Sequence, residues 1–159
     1  MPRLITAIDD TVEVEYGQFV LQEIPMTRSP LILDVPTGPW TAVGGPGGLL
    51  LHSAATDHYP AIRIELWTDT PPADNRHNSW DQILELTCDL NAQTRLQSVT
   101  ATPGEHTLTI EQSGAHHARV HVGNQRDTAE PDEGSFETGL ERWLIQLWPC
   151  TAPKRSLGL

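Results

Sequence analysis

The chain has little cysteine and no cysteine motif that would bind a metal. Its 159 residues include only two cysteines, Cys88 and Cys150, which are too few for a disulfide framework and lack metal-type spacing. Cys88 alternates with Leu84, Leu86 and Leu90, and this pattern predicts a small buried side chain. No role is predicted for Cys150.

Long apolar runs are also missing. The segment MPRLITAIDD lacks the apolar stretch of a secretory signal. No segment approaches the roughly 18 consecutive apolar residues that a membrane-spanning helix needs. We therefore expect a cytoplasmic protein.

Basic residues are scarce. There are 10 Lys and Arg against 21 Asp and Glu, so the formal net charge is -11. A field of this sign repels nucleic acid and anionic membranes, and we predict that the chain binds neither. The same field would attract a basic protein partner, although an acidic surface can also serve only solubility.

The motifs of common enzyme classes are missing as well. The sequence contains no GxSxG, no HExxH and no CxxC. The glycine-rich segment 38–48 is not followed by Lys-Ser or Lys-Thr and does not introduce a helix, so it matches neither a P-loop nor a dinucleotide fingerprint. These absences do not by themselves exclude an enzyme. They favour a non-enzymatic protein, and we predict no catalytic residue and no cofactor.

Alternating apolar and polar residues dominate the chain, whereas helical periodicity is rare. From Ala61 to Trp67, for example, Ile62, Ile64 and Leu66 share one face, as in a half-buried strand. About nine or ten such strands, at a spacing of about 8–12 residues, predict an all-β fold. We expect an antiparallel two-sheet sandwich of jelly-roll-like type that forms a single domain over residues 1–150, with a frayed tail over residues 151–159.

The last apolar element could be a strand or a helix. Between Glu141 and Trp148 both faces are apolar, which is typical of a strand covered on both sides. Leu140, Leu144 and Leu147 would also suit a helix. The strand is our preferred interpretation, and a further strand is predicted over residues 31–35.

Two tryptophans and an acidic loop are the candidate interface residues. Trp67 lies opposite the apolar face of its strand, and Trp40 stands beside the glycine-rich segment, so both could contact a partner or fill a secondary core. The acidic residues Glu130, Asp132 and Glu133 belong to a segment with Pro and Gly that is typical of a solvated loop.

Seven histidines raise the question of a metal site. His117 and His121 flank Arg119 on one strand face, and His106 could join them from a neighbouring strand. The close His-x-His pair of a cupin-like site is missing, and Arg119 would repel a cation. We therefore predict surface histidines and no metal, with these three as the weak candidates.

Arg119, Arg126 and Asp127 allow two interpretations. An Arg on a strand can pair with an acidic residue of the following loop and stabilise that loop. An open cluster of Arg side chains would instead bind an anion. The structural salt bridge is the interpretation that we favour.

The C-terminal third contains a specific motif. HARVHVGNQRD (117–127), an acidic loop and ERWLIQLWP (141–149) resemble a group of uncharacterised actinobacterial proteins, in which an Arg-rich strand precedes an acidic loop and a terminal ExxLLQLWP strand. The earlier QFVLQE and LILD segments fit, whereas His117 and Asn124 depart from the pattern. More remotely, the layout is similar to the competence protein J family, small acidic β proteins associated with inhibition of a nuclease. The resemblance transfers no catalytic residue.

Two function classes follow from these observations. The first is a non-enzymatic protein-binding module, such as an inhibitor or an immunity-type regulator, whose acidic loops engage a basic protein. The second is a small-molecule-binding or metal-binding β-sandwich enzyme of cupin-like type, with a pocket near His106, His117 and His121. The first is the preferred hypothesis.

Overall fold

A computed structural model describes residues 1–73, 80–124 and 138–150, with side chains described for all of these except 138–140. Within these ranges the chain forms ten strands and a single-turn 3-10 helix at Pro30–Ile32. In chain order the strands are β1 (Leu4–Asp10), β2 (Gln18–Ile24), β3 (Ala42–Gly45), β4 (Gly48–His52), β5 (Tyr59–Trp67), β6 (Gln82–Leu90), β7 (Gln93–Ser98), β8 (Leu108–Thr109), β9 (Gly114–Gly123) and β10 (Thr138–Pro149).

The strands form two five-stranded sheets that pack face to face. The order is β1-β5-β10-β9-β6 in the first sheet and β3-β4-β2-β7-β8 in the second. Neighbouring strands run antiparallel except for β5 and β10, which run parallel. The sheets do not close into a barrel. The predicted all-β two-sheet sandwich is therefore confirmed, with one parallel pair at the centre of the first sheet.

The core lies between the sheets and follows the alternation in the sequence. Ile62, Ile64 and Leu66 of β5 are buried, and so are Cys88 and Leu90 of β6. Because successive side chains of a strand point to opposite faces, each strand contributes every second residue to this core. The inward orientation predicted for these residues is confirmed.

The last element is a strand, as preferred, and it is buried on both faces. Trp143, Ile145 and Leu147 face the core, while Leu144 and Trp148 on the outer face are also buried. β10 lies between β5 and β9 at the centre of its sheet. This position explains why its sequence is apolar on both faces.

The described ends of the connection from β5 to β6 contact the outer face of the first sheet. β6 lies beyond β10 and β9 in the sheet, so residues 68–81 join strands that are not neighbours. One described end is held by a hydrogen bond of 3.2 Å from Arg119 Nη1 to the Pro71 carbonyl oxygen. At the other end, the rings of Trp80 and His121 pack with their centroids 5.2 Å apart.

The strand predicted over residues 31–35 is wrong. The structure has the 3-10 helix Pro30–Ile32 there, with Ser29 Oγ accepting a hydrogen bond of 3.1 Å from the Leu31 backbone N–H. Pro30 and Pro36 lack the N–H that a sheet ladder needs. Ile32 is 81% exposed, so the apolar run belongs to a surface segment.

β1 was not predicted as a separate strand. Its burial pattern shows no fully buried residue, so its alternation is weak in the sequence. The predicted tail, residues 151–159, lies outside the described residues. In the ranges described above, no helix is long and apolar enough to cross a membrane.

Candidate partner-binding surface

One end of the sandwich combines exposed acidic groups with the attachment points of the acidic loop. β9 ends at Gly123 and β10 begins at Thr138, so residues 125–137 join the first sheet at this end. Tyr59 is the register partner of Thr138, and Asp10 is the partner of Ile62 near the start of β5. We call this the acidic-loop end.

Five of the residues predicted as candidates lie outside the described part of the chain. These are Glu130, Asp132, Glu133, Arg126 and Asp127, all in the range 125–137.

Two adjoining cavities open at the acidic-loop end. Their volumes are about 270 Å³ and about 560 Å³, and both are lined by Asp9, Asp10 and Ala61. Glu105 and Tyr59 line the larger cavity, which has no basic side chain in its lining. Asp9 and Asp10 of β1 therefore line both cavities.

Asp9 presents its carboxylate to solvent. Its side chain is 76% exposed and lies 3.3 Å from Arg63 Nη1. Arg63 also binds Glu65, with 2.9 Å between Nε and Oε2, and this hydrogen bond raises the pKa of the guanidinium. Arg63 is thus shared between two carboxylates, which leaves net negative charge here.

Glu65 remains ionised although it is partly buried. Burial raises the pKa of this carboxyl, but hydrogen bonds from Gln146, Arg63 and Trp67 outweigh burial and lower it overall. The Gln146 Nε2 and Trp67 Nε1 donors each lie 2.9 Å from Oε1. This carboxylate therefore serves to hold β5 and β10 together.

Asp10 has a structural role. Its carboxylate accepts hydrogen bonds from the backbone N–H groups of Thr11, Glu105 and His106 at 2.7, 3.0 and 3.0 Å. These bonds hold the loop before β8 against the end of β1. Glu105 is therefore fixed beside Asp9 with its own side chain exposed.

Basic and aromatic groups are also present at this end. The guanidinium of Arg142 lies 4.9 Å from the centre of the Trp80 ring, and both residues line the smaller cavity. A cation over an indole face is attracted by the ring quadrupole. The surface therefore combines carboxylates with the cation–π pair of Arg142 and Trp80.

A buried polar network closes the core just below this surface. Ser53 Oγ donates to Glu141 Oε1 at 2.7 Å, Trp143 Nε1 donates to the same oxygen at 2.8 Å, and the Ala54 N–H donates to Oε2 at 3.0 Å. His58 Nε2 lies 2.6 Å from Ser53 Oγ and donates to it, since the hydroxyl proton is already used. Ser53, His58, Glu141 and Trp143 are all almost fully buried.

This network is not arranged as a catalytic triad. In a triad the acid binds His Nδ1 and the histidine activates the serine, but here the carboxylate accepts from the serine itself. His58 Nδ1 has no hydrogen-bond partner among the described residues. Burial lowers the pKa of His58, although Glu141 acts in the opposite direction. The network therefore fixes the segment between β4 and β5.

The two candidate tryptophans lie at different ends of the sandwich. Trp40 is half-buried at the acidic-loop end, with its ring centroid 4.8 Å from that of His52. It lines a third cavity there, of about 520 Å³, together with Gln82. Trp67 is the last residue of β5, and its side chain is also half-buried. The two therefore do not form one surface.

The three candidate histidines do not come together. His106 is exposed in the loop before β8, the His117 ring stacks on Trp148 at 5.3 Å, and His121 Nδ1 donates to the Leu144 carbonyl at 3.0 Å. Across the described ranges, no three His, Cys, Asp or Glu side chains form a group that could hold a metal ion.

Arg119 makes structural contacts in the described part of the chain. Its Nε binds Glu85 Oε2 at 3.1 Å, Nη1 binds the Pro71 carbonyl, and the guanidinium lies 5.3 Å from the centre of the Trp148 ring. Its described acidic partner is thus Glu85 of β6, whereas the sequence predicted an acidic residue of the following loop.

The sequence analysis did not identify Asp9 and Glu105 as neighbours, and it missed the network of Ser53, His58 and Glu141. The residues of these groups are up to 96 positions apart in the chain, from Asp9 to Glu105. The one available signal was Glu141, which has the same strand parity as Trp143 and therefore occupies an inward position of β10.

The fold defined by these two sheets belongs to a known structural type. No protein-family model matches the chain, and no curated protein matches it significantly. The solved structure of ComJ from Bacillus subtilis, the inhibitor of the DNA-degrading activity of NucA, is similar with a TM-score of 0.56 at 10% identity, over 94% of this chain and 98% of ComJ.

A second solved structure has the same fold. It is described as crocagin biosynthetic gene J, and it is similar with a TM-score of 0.57 at 14% identity, over 92% of this chain and 100% of that chain. At these identities the likeness shows the fold alone. The remote similarity to the competence protein J family is therefore confirmed for the fold, and the actinobacterial resemblance stays a prediction.

Proposed function

We propose that the chain is a non-enzymatic protein-binding module that inhibits a basic partner enzyme through its acidic-loop end. The observation that carries this proposal is the exposure of Asp9 and Glu105 beside the attachment points of a loop with five further acidic residues. These are Asp127, Glu130, Asp132, Glu133 and Glu137.

Exposed carboxylates at this end support binding by electrostatic complementarity. A negatively charged surface steers a basic partner toward itself and repels acidic proteins. The buried network of Ser53, His58 and Glu141 holds the neighbouring backbone in place. A fixed surface loses less conformational entropy when it binds.

The fold neighbour suggests the class of partner. ComJ inhibits a DNA-degrading enzyme. Enzymes that bind DNA carry basic surfaces that neutralise phosphates, and an acidic protein surface can occupy such a site in place of the nucleic acid. We infer that the partner is a nuclease or another enzyme with a polyanionic substrate. A cytoplasmic location remains the expectation.

Two matched double variants test the surface. Asp9→Lys with Glu105→Lys changes the acidic-loop end, while Asp69→Lys with Glu111→Lys makes the same change in net charge at exposed positions of the opposite end. Wild type and both variants are used to capture proteins from an extract of the producing cells at about 50 and about 200 mM salt. The captured protein is then assayed for DNA degradation.

We expect wild type and the Asp69/Glu111 variant to retain one basic protein at the lower salt concentration and to suppress its DNA degradation. The Asp9/Glu105 variant should lose both effects. Equal retention by the two variants would contradict the assignment of the surface. Retention of a partner without any loss of its enzymatic activity would contradict the inhibitor role.

A further inference from the structure

The sandwich has four edge strands, and two of them cover each other. β3 is an edge of the second sheet and β6 is an edge of the first. Gly44 of β3 lies so close to the Thr87 carbonyl of β6 that a Cβ atom would collide with it. The Thr41 hydroxyl also donates to Gln82 Oε1 at 2.8 Å. No additional strand fits on this side.

The other two edge strands are β1 of the first sheet and β8 of the second. β8 contains only two residues, whereas β1 contains seven. Among the described residues β1 pairs with β5 alone, and none of its residues is fully buried. Ile5 and Ile8 pack against the core, which keeps β1 in place. Its outward backbone N–H and C=O groups form a fixed row that can pair with another strand.

Charge determines which strand this edge can accept. β1 ends with Asp9 and Asp10, and Glu105 lies beside them. Acidic residues at an edge disfavour pairing with another acidic chain. A second copy of this protein would bring its own net charge of -11, so self-association through β1 is opposed. A basic segment meets no such barrier.

We infer that β1 accepts an extended, basic segment of the protein partner as an added strand. This inference rests on the proposed function and specifies how the partner binds. Directly opposed residues of paired strands have Cβ atoms about 4.5–5.5 Å apart, so a Lys or Arg opposite Asp9 reaches its carboxylate. A basic side chain near the end of β1 also reaches the cavity lined by Asp10, Glu105 and Tyr59.

The test uses two synthetic peptides of about eight residues, one of alternating Arg and Val and one of alternating Glu and Val, with amide hydrogen exchange measured by NMR. The Arg peptide should slow exchange at alternate amides of Leu4–Asp10 and leave β6 unchanged, and the Glu peptide should have no effect. Asp9→Lys should weaken the Arg peptide about 3- to 10-fold. The matched variant Glu85→Lys on β6 should leave binding of the Arg peptide unchanged.

Binding of the Arg peptide without protection of β1 would overturn the inference, and so would equal protection by both peptides. It would also be overturned if the β1 amides were already protected in the free protein and lost this protection when residues 151–159 were deleted. The captured partner separates this inference from the proposed function. If its binding depends on Asp9 and Glu105 but leaves β1 exchange unchanged, strand addition is wrong and the proposed function stands. If the Arg peptide protects β1 but no partner is captured, β1 can accept an added basic strand and the proposed inhibitor function is wrong.

Discussion

Two buried polar side chains at opposite ends of the sandwich differ in the number of their hydrogen bonds. At the acidic-loop end, Glu141 accepts hydrogen bonds from Ser53, Ala54 and Trp143. At the opposite end, His116 makes a single hydrogen bond, of 2.9 Å, between Nδ1 and the Gly114 carbonyl oxygen. Its Nε2 has no partner among the described residues.

The opposite end has a well-bonded buried carboxylate of its own. Glu23 is almost fully buried there and accepts hydrogen bonds from Thr27 Oγ1, Asn91 Nδ2 and Arg28 Nη2 at 2.8, 3.1 and 3.4 Å. The difference therefore lies between two individual sites, those of Glu141 and His116, and not between the two ends as a whole.

The largest effect should come from breaking the polar network. Glu141→Leu removes the acceptor for the buried Ser53 and Trp143 donors and for the half-buried Ala54 N–H, so we expect a loss of about 3–5 kcal/mol in the free energy of unfolding, measured with urea. His116→Leu at the opposite end should lose about 1–2 kcal/mol, since only one buried carbonyl loses its donor. Similar losses for the two variants would remove the distinction between the Glu141 and His116 sites.

Acid should weaken both ends. Burial lowers the pKa values of His58 and His116 from the ordinary value of 6.5, although Glu141 and the Gly114 carbonyl, respectively, act in the opposite direction. The unfolded chain therefore binds protons first as the pH falls. The free energy of unfolding should be fully maintained above about pH 6.5 and should decrease as the pH falls below it.

Variants can assign this pH dependence to each end. His58→Gln and His116→Gln should each make the free energy of unfolding fall less steeply below about pH 6.5, because one titrating group is removed. Urea unfolding at several pH values provides the measurement. A profile that stays as steep in both variants would show that other groups cause the acid sensitivity.

The smallest effect concerns thiol reactivity at the opposite end. Cys88 is the register partner of His116, and burial raises the pKa of its thiol to about 12. Iodoacetamide should therefore leave Cys88 unmodified in the folded protein at pH 8 and modify it in urea. Peptide mass spectrometry would detect the difference. Rapid modification in the folded protein would show that this end opens readily.

Much of the fold could be predicted because its central strands follow simple burial rules. β5 alternates cleanly, and β10 is apolar on both faces and buried on both. The segment 31–35 misled the prediction because an apolar run was taken as buried, whereas two prolines keep it out of either sheet.

The site was harder to predict, because its groups come from distant parts of the chain. Nothing local connects Asp10 with Glu105, or Ser53 with Glu141. The acidic composition did indicate the kind of partner to consider. It did not show that Asp9 is exposed while Asp10 is used to hold a loop.

The central position of β10 has a consequence for assembly of the chain. β1 and β5 pair with each other, as do β6 and β9, and among the described strands only β10 joins these two pairs into one sheet. Until residues 138–149 have been synthesised and inserted, β5 and β9 each present an open edge and part of their apolar surface to water. The nascent chain therefore depends on its last described strand to become a sandwich at all, and before that step it is most exposed to misassociation.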